Sequence, residues 1–172
     1  SFFWGRFTDT YIELVKVRAR GNGKPQGSSV ATLRLGLSVL LRLFAPFLPY
    51  ITEEVWSWCF ADETGCESIH HAPWPGEKDF ASISKPLNEI SFQIACTALG
   101  SINKAKAEAS VSIGREIEYL VLSAEAETAN WLSPIVDDVM AAARCSGHLI
   151  AIEPELERGN FLVQEVTFAE RS

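Results

Sequence analysis

The chain has few cysteines, no long uninterrupted apolar run and no basic, cleavable start. Its 172 residues include only four cysteines, and these are widely spaced. This density of cysteines is far below that of disulfide-stabilised domains. It favours a reducing compartment and predicts a cytoplasmic protein. No run approaches the roughly 18 apolar residues of a membrane span, and no basic start with a cleavage site indicates a signal peptide. We therefore expect no membrane partner.

Several motifs of catalysis and nucleotide binding are missing as well. The stretch 21–27 is rich in turn formers, but no Gly-Lys-Ser/Thr follows it, which excludes a phosphate loop. There is neither a Gly-x-Ser-x-Gly elbow nor a His-Glu-x-x-His pair. The adjacent carboxylates Glu53/Glu54 and Asp137/Asp138 point in different directions on a helix, so helix ends and solvated surface explain them better than acid–base chemistry. We expect no catalytic residue in this chain.

One group of residues invites a metal interpretation. Cys59, Cys66, His70 and His71 form the pattern Cys-x6-Cys-x3-His-His. Structural zinc sites usually show tighter paired ligands, and this spacing is not one of theirs. The sequence therefore predicts no metal ligands and no cofactor within these residues.

What the chain does have is enough apolar content, 47%, to bury a core. Its central stretch, 28–59, repeats apolar residues at steps of three or four, as one face of a helix requires. These residues are Val30, Leu33, Leu37, Leu40, Phe44, Phe47, Ile51 and Val55. Pro46 and Pro49 must interrupt the helix. We predict one helix over 29–44, a bend at the prolines, and a second short helix opening at Thr52.

The remaining periodicities predict helices and three strands. Helices are expected over 2–20, 84–109 and 125–144, and strands over 116–123, 148–152 and 161–168. The predicted fold class is therefore mainly α, a helical bundle followed by a small α/β appendage. We place the bundle at 2–80 and the long helix with the α/β subdomain at 81–172.

Charge is distributed unevenly along the chain. The first fifty residues hold seven basic and two acidic residues, a net charge of +5. The remaining residues carry a net charge of −12, which gives the chain its total of −7. Such asymmetry suggests a basic contact region attached to an acidic body. Solvated surface charge and cations that suit helix C-termini are the alternatives for each residue. The candidate phosphate contacts are Lys16, Arg18, Arg20, Lys24, Arg34 and Arg42.

Three ordered segments carry a family resemblance. Residues 43–56, Leu-Phe-Ala-Pro-Phe-Leu-Pro-Tyr-Ile-Thr-Glu-Glu-Val-Trp, resemble a signature of the helical anticodon-binding domain of class I aminoacyl-tRNA synthetases. Residues 68–75, Ser-Ile-His-His-Ala-Pro-Trp-Pro, resemble the following segment of the valine and isoleucine enzymes. Residues 7–16 resemble an upstream helix of the same enzymes. The resemblance covers about 2–112, and Ala45 stands where the family usually has His.

The resemblance implies a function and a parent protein. Bacterial valine enzymes resemble the chain most, which implies the valine-accepting tRNA as partner and the six basic residues as RNA-binding. It also implies a catalytic domain in the same parent chain, where ATP and Mg²⁺ act. The His-Ile-Gly-His-like and Lys-Met-Ser-Lys-Ser-like motifs of that domain are missing here, as are an initiator Met and the family's first bundle helix. We therefore expect a piece of a longer protein.

Two alternatives stay open at this point. The same domain occurs in the isoleucine, leucine and methionine enzymes, and a helical protein-interaction module without any RNA role would also fit the helical pattern. At the end of the long helix, Asn103 and Lys106 replace two arginines of the family pattern. Lysine cannot donate two parallel hydrogen bonds to one phosphate as arginine does, so an RNA-binding role at the end of this helix stays open.

Overall fold

A computed structural model describes residues 2–84 and 88–170 of the chain. Its contacts separate two compact units, one formed by Ser1–Gly21 with Pro86–Ser172 and the other by Asn22–Lys85. The predicted fold class is confirmed, because helices dominate and a small sheet follows near the C-terminal end. These units differ from the predicted domains, which met near residue 80, because the N-terminal helix belongs with the C-terminal part of the chain. That helix buries Leu14 and Val15 and packs within the first unit.

Unit 22–85 is a helical hairpin followed by short turns. Its helices are α2 (Lys24–Phe44), α3 (Pro49–Cys59) and α4 (Ala61–Thr64), with single 3₁₀ turns at Ile69–His71 and Glu77–Phe80. Leu41, Ala45, Trp56, Phe60 and Ile69 form its buried core. The prolines separate α2 from α3, as the sequence predicts.

Both helices begin earlier than the sequence predicts. Helix α2 starts at Lys24, because Pro25 fits a first turn in which its missing N–H costs nothing. Ser29, the predicted first residue, lies inside the helix, and its hydroxyl donates to the Pro25 carbonyl oxygen at 2.9 Å. Helix α3 starts at Pro49 for the same reason, and the Thr52 hydroxyl donates to the Leu48 carbonyl oxygen at 2.8 Å.

Helix α2 is 21 residues long and, by length and composition alone, apolar enough to cross a membrane. The sequence predicted no such segment, because arginines interrupt its apolar run. Core helices of water-soluble proteins pass the same test, and α2 contributes Leu41 to the core of its unit. It therefore gives only weak support for a membrane span.

The unit formed by the two chain ends combines helices with a three-stranded sheet. A π-helical stretch, Phe2–Tyr11, leads into α1 (Ile12–Arg20), and the other elements are α5 (Ser91–Glu108), β1 (Ile117–Ala124), α6 (Ala126–Leu132), α7 (Val136–Ala143), β2 (Cys145–Ile152) and β3 (Phe161–Phe168). The strand order is β2–β1–β3, with β2 parallel and β3 antiparallel to β1. Helices α6 and α7 form the crossover that a parallel pair requires.

Two helix predictions in this unit need correction. Pro134 cannot donate to a helical ladder, so 125–144 divides into α6, a 3₁₀ turn and α7. The long helix begins at Ser91 rather than at 84. Residues 85–87 of the predicted helix lie outside the described residues.

A fully buried lysine ties three segments of this unit together. The Lys106 ammonium donates to the carbonyl oxygens of Ile113 at 2.7 Å, Arg115 at 2.8 Å and Ala143 at 2.7 Å. These three acceptors use all of its donors. Burial lowers the pKa of Lys106, with the Arg144 charge acting in the same direction. The residue that replaces a family arginine is thus inaccessible to RNA.

We predict that Lys106→Met lowers the free energy of unfolding by about 3 kcal/mol, because three carbonyl groups, one in a fully buried hydrogen bond, lose their donor. Lys104→Met is the control, since Lys104 is exposed and only pairs loosely with Glu108 at 3.8 Å; its effect should stay below about 0.5 kcal/mol. Urea unfolding followed by circular dichroism measures both. Equal effects of the two substitutions would show that the three bonds contribute no net stability.

Candidate nucleic-acid interface

Of the candidate cations in the first unit, one is exposed without an ion pair. Arg20 ends α1 and forms no ion pair with any residue between 2–84 and 88–170. Lys16 pairs with Glu13 one turn earlier. The Arg18 Nη2 lies 3.3 Å from a carboxylate oxygen of Asp138. Arg20 is therefore the most available of the three to an external phosphate.

The unit 22–85 also contains one exposed candidate cation without an ion pair and others that have partners. Lys24 is exposed at the first residue of α2 and pairs with no described acidic group. Arg34 Nη2 donates to Glu63 at 2.6 Å and to the Cys59 carbonyl oxygen at 3.1 Å. Its guanidinium also lies 5.1 Å from the centre of the Phe60 ring. A phosphate at Arg34 would have to compete with Glu63.

Arg42 is a structural anchor, which corrects the expectation that it is open to a phosphate. Its side chain is only 7% exposed. Its nitrogens donate to the Ser38 carbonyl oxygen at 3.1 Å, to the Pro73 carbonyl oxygen at 3.2 Å and to Asp79 Oδ1 at 2.5 Å. The sequence placed Arg42 opposite the apolar stripe but gave no indication of the later loop that folds over it.

The two segments that carry the family resemblance hold each other in place. Glu53 accepts hydrogen bonds from the Ser68 hydroxyl at 3.1 Å and from the Ile69 N–H at 2.9 Å. The Trp56 indole N–H donates to the Cys66 carbonyl oxygen at 2.9 Å. The carboxylate and the indole of the signature are thus used in holding the fold together.

The cysteines and histidines of this unit do not gather into a ligand set. Cys59 and Cys66 pack against the apolar core, while His70 and His71 are exposed. Among residues 2–84 and 88–170, no three His, Cys, Asp or Glu side chains form a group that could hold a metal ion.

An exposed aromatic patch surrounds the corner between α2 and α3. Tyr50 is 90% exposed, and Phe47, Ile51 and Trp58 also face solvent. The sequence assigned Phe47 and Ile51 to the buried stripe, but the turn at the prolines rotates them outward. Exposed aromatic rings suit stacking by unpaired bases.

Sequence reasoning missed one further exposed cation. Arg6 lies on the π-helical stretch and forms no ion pair within the described ranges. It contributes to the basic charge of the first fifty residues, which was the available signal.

Comparison with known proteins finds one family and a set of relatives. The model of the "Anticodon-binding domain of tRNA ligase" matches residues 1–121. The valine–tRNA ligase of Thermobifida fusca (strain YX) is 40% identical over 145 residues, 83% of this chain and 15% of the relative. That of Bifidobacterium longum subsp. infantis is 37% identical over 156 residues, 86% of this chain and 17% of the relative. That of Wolbachia pipientis wMel is 38% identical over 128 residues, 73% and 14% respectively. The chain thus spans about one sixth of the length of these curated relatives.

The Arg42–Asp79 pair predicts a pH-dependent stability. The hydrogen bond from Arg42, and after it the N–H of Gly76, holds the pKa of Asp79 below its ordinary value. The pair therefore stabilises the fold above the ordinary aspartate pKa of about 4 and stops doing so as pH falls through the lowered pKa. Asp79→Asn should cost about 2 kcal/mol at pH 7, since it leaves a buried guanidinium uncompensated, and much less near pH 2.

Urea unfolding of both proteins at pH 7 and at pH 2 tests this expectation. Asp62→Asn is the matched control, because Asp62 is exposed in the same unit and forms no ion pair with a described residue. A loss of stability in Asp79→Asn that is equal at both pH values would contradict the assignment to the charged pair.

Proposed function

Because the chain belongs to the family of anticodon-binding domains of tRNA ligases, we propose that it binds the anticodon arm of a tRNA and that this tRNA accepts valine. The observation that carries the proposal is the family match over residues 1–121. The names of the relatives support the choice of valine over isoleucine, leucine and methionine. The basic first fifty residues supply a charge of the sign that RNA requires.

The chemistry of the reaction is proposed to lie elsewhere in the parent protein. A catalytic domain of the same chain would use ATP and Mg²⁺ to attach valine to the tRNA, in the cytoplasm. This piece would position the substrate, while the catalytic and ATP-binding residues would lie in that other domain. The missing nucleotide-binding motifs support that division of labour.

Arg20 and Lys24 are the proposed principal phosphate contacts, with Lys16, Arg18 and Arg34 secondary because each has an acidic neighbour. Lys24 is informative because it lies at the N-terminal end of α2, where the helix dipole disfavours a cation. Helix stability therefore does not account for it. Arg20 is weaker evidence for a phosphate contact, since a cation at the C-terminal end of α1 also stabilises the helix. Both are exposed, and an external anion would meet no internal competitor.

The proposal predicts how tRNA binding responds to salt. Each phosphate contact adds about −0.7 to −0.9 to the slope of log affinity against log salt concentration. Arg20→Ala and Lys24→Ala should each flatten the slope by about that amount and weaken binding. Fluorescence anisotropy of labelled valine-accepting tRNA at several salt concentrations measures both slope and affinity.

Lys104→Ala is the control for this titration, because Lys104 is exposed but lies in the acidic part of the chain. It should leave the slope unchanged. If Lys104→Ala flattens the slope while Arg20→Ala and Lys24→Ala do not, the RNA contacts lie on the acidic part. No detectable tRNA binding by the intact chain would argue for the protein-interaction alternative.

A second prediction concerns ATP. Since the nucleotide-binding motifs are missing from the sequence, titration calorimetry with ATP, Mg²⁺ and valine should give no saturable heat. The tRNA titration on the same preparation is the positive control for folded protein. Saturable ATP binding would place part of the reaction chemistry in this chain.

A further inference from the structure

A pocket of about 150 Å³ lies within the unit formed by 1–21 and 86–172. Tyr11 and Phe92 contribute aromatic rings whose centres are 6.1 Å apart at an angle of 60°. Leu14 and Ile135 are among its aliphatic lining residues. Only a few polar side chains, the Arg18–Asp138 pair among them, interrupt this apolar lining. Its size leaves room for one small flat ring.

The Arg18–Asp138 pair leaves much of its hydrogen-bonding capacity unused. Its closest atoms are 3.3 Å apart, but no hydrogen bond from the described part of the chain reaches the Asp138 carboxylate. The Arg18 Nε is shielded from solvent and donates to no described group. Buried polar groups are normally paired, so this pair differs from a purely structural one.

A second arginine–aspartate pair of the same chain provides the comparison: Arg42 is buried, whereas Arg18 and Asp138 are both partly exposed. Arg42 and Asp79 are joined at 2.5 Å, and the remaining Arg42 nitrogens also find acceptors. The pKa of Asp79 is lowered accordingly, whereas burial raises the pKa of Asp138 more than the Arg18 charge lowers it. Groups of the protein itself satisfy the hydrogen bonds of Arg42 and Asp79. Asp138 and Arg18 keep an acceptor and a donor that a ligand can use.

We propose that this pocket takes one unstacked, amino-bearing pyrimidine base of single-stranded RNA, which is to say cytosine. Asp138 accepts a hydrogen bond from the exocyclic amino group, and Arg18 donates to the neighbouring ring acceptors. Carboxylates accept from the cytosine amino group in base recognition, and proteins read splayed-out RNA bases by stacking and by their Watson–Crick edges. Uracil carries a carbonyl oxygen in place of the amino group, and the carboxylate repels it. The inference rests on the proposed RNA-binding function.

The experiment compares labelled hexacytidylate with hexauridylate by fluorescence anisotropy at one salt concentration. The intact chain should bind the cytidine oligonucleotide about tenfold more tightly. Asp138→Asn should reduce that preference to about twofold or less, because an amide can both accept and donate. Asp137→Asn, on the same helix turn and exposed, removes the same charge and should keep the tenfold preference.

Three results would overturn the pocket assignment: equal binding of both oligonucleotides to the intact chain, equal changes in the two aspartate variants, or an unaltered preference in Asp138→Asn. If Asp138→Asn does not fold, Phe92→Leu replaces it and should weaken hexacytidylate binding several-fold; unchanged binding overturns the assignment. The tRNA titration separates the two proposals. Salt-dependent tRNA binding without a cytosine preference rejects the pocket alone, and no tRNA binding rejects the proposed function.

Discussion

A buried cation must have all its donors accepted, and each unit of this chain meets that requirement at one residue. In the unit 22–85 the residue is Arg42, whose nitrogens reach its own helix and the segment 73–79. In the other unit it is Lys106, which joins α5 to the segment before β1 and to the end of α7. Because an unpaired buried charge costs several kcal/mol, these bonds fix where otherwise irregular segments lie.

The same requirement explains the role of the family signature. Glu53 and Trp56 bind backbone groups of the segment 66–69, so the residues that carry the resemblance are mostly used to close the helical hairpin. The RNA contacts proposed above therefore involve other, exposed side chains. The signature therefore identifies the family, while the proposed phosphate contacts Arg20 and Lys24 lie outside it.

The Arg18–Asp138 pair is not saturated in this way, since Arg18 Nε has no described acceptor. They belong to α1 and α7, which are more than a hundred residues apart in the sequence. Their pocket is largely apolar and holds one charge of each sign. The Asp138 carboxylate would repel a phosphate in this pocket. A neutral base can donate to Asp138 and accept from Arg18. This asymmetry links the acidic part of the chain to RNA recognition despite its unfavourable net charge.

The sequence by itself determined the mainly helical class, the break at Pro46 and Pro49, the three strands and the basic first fifty residues. These features depend on local periodicity, proline chemistry and composition, which act over a few residues. Only the tertiary structure decided that Arg42 and Lys106 are buried and that Phe47 is exposed. It alone also decided that α1 packs with the C-terminal segment. Exposure and pairing depend on which distant segment folds over a side chain, and helical spacing alone cannot determine that.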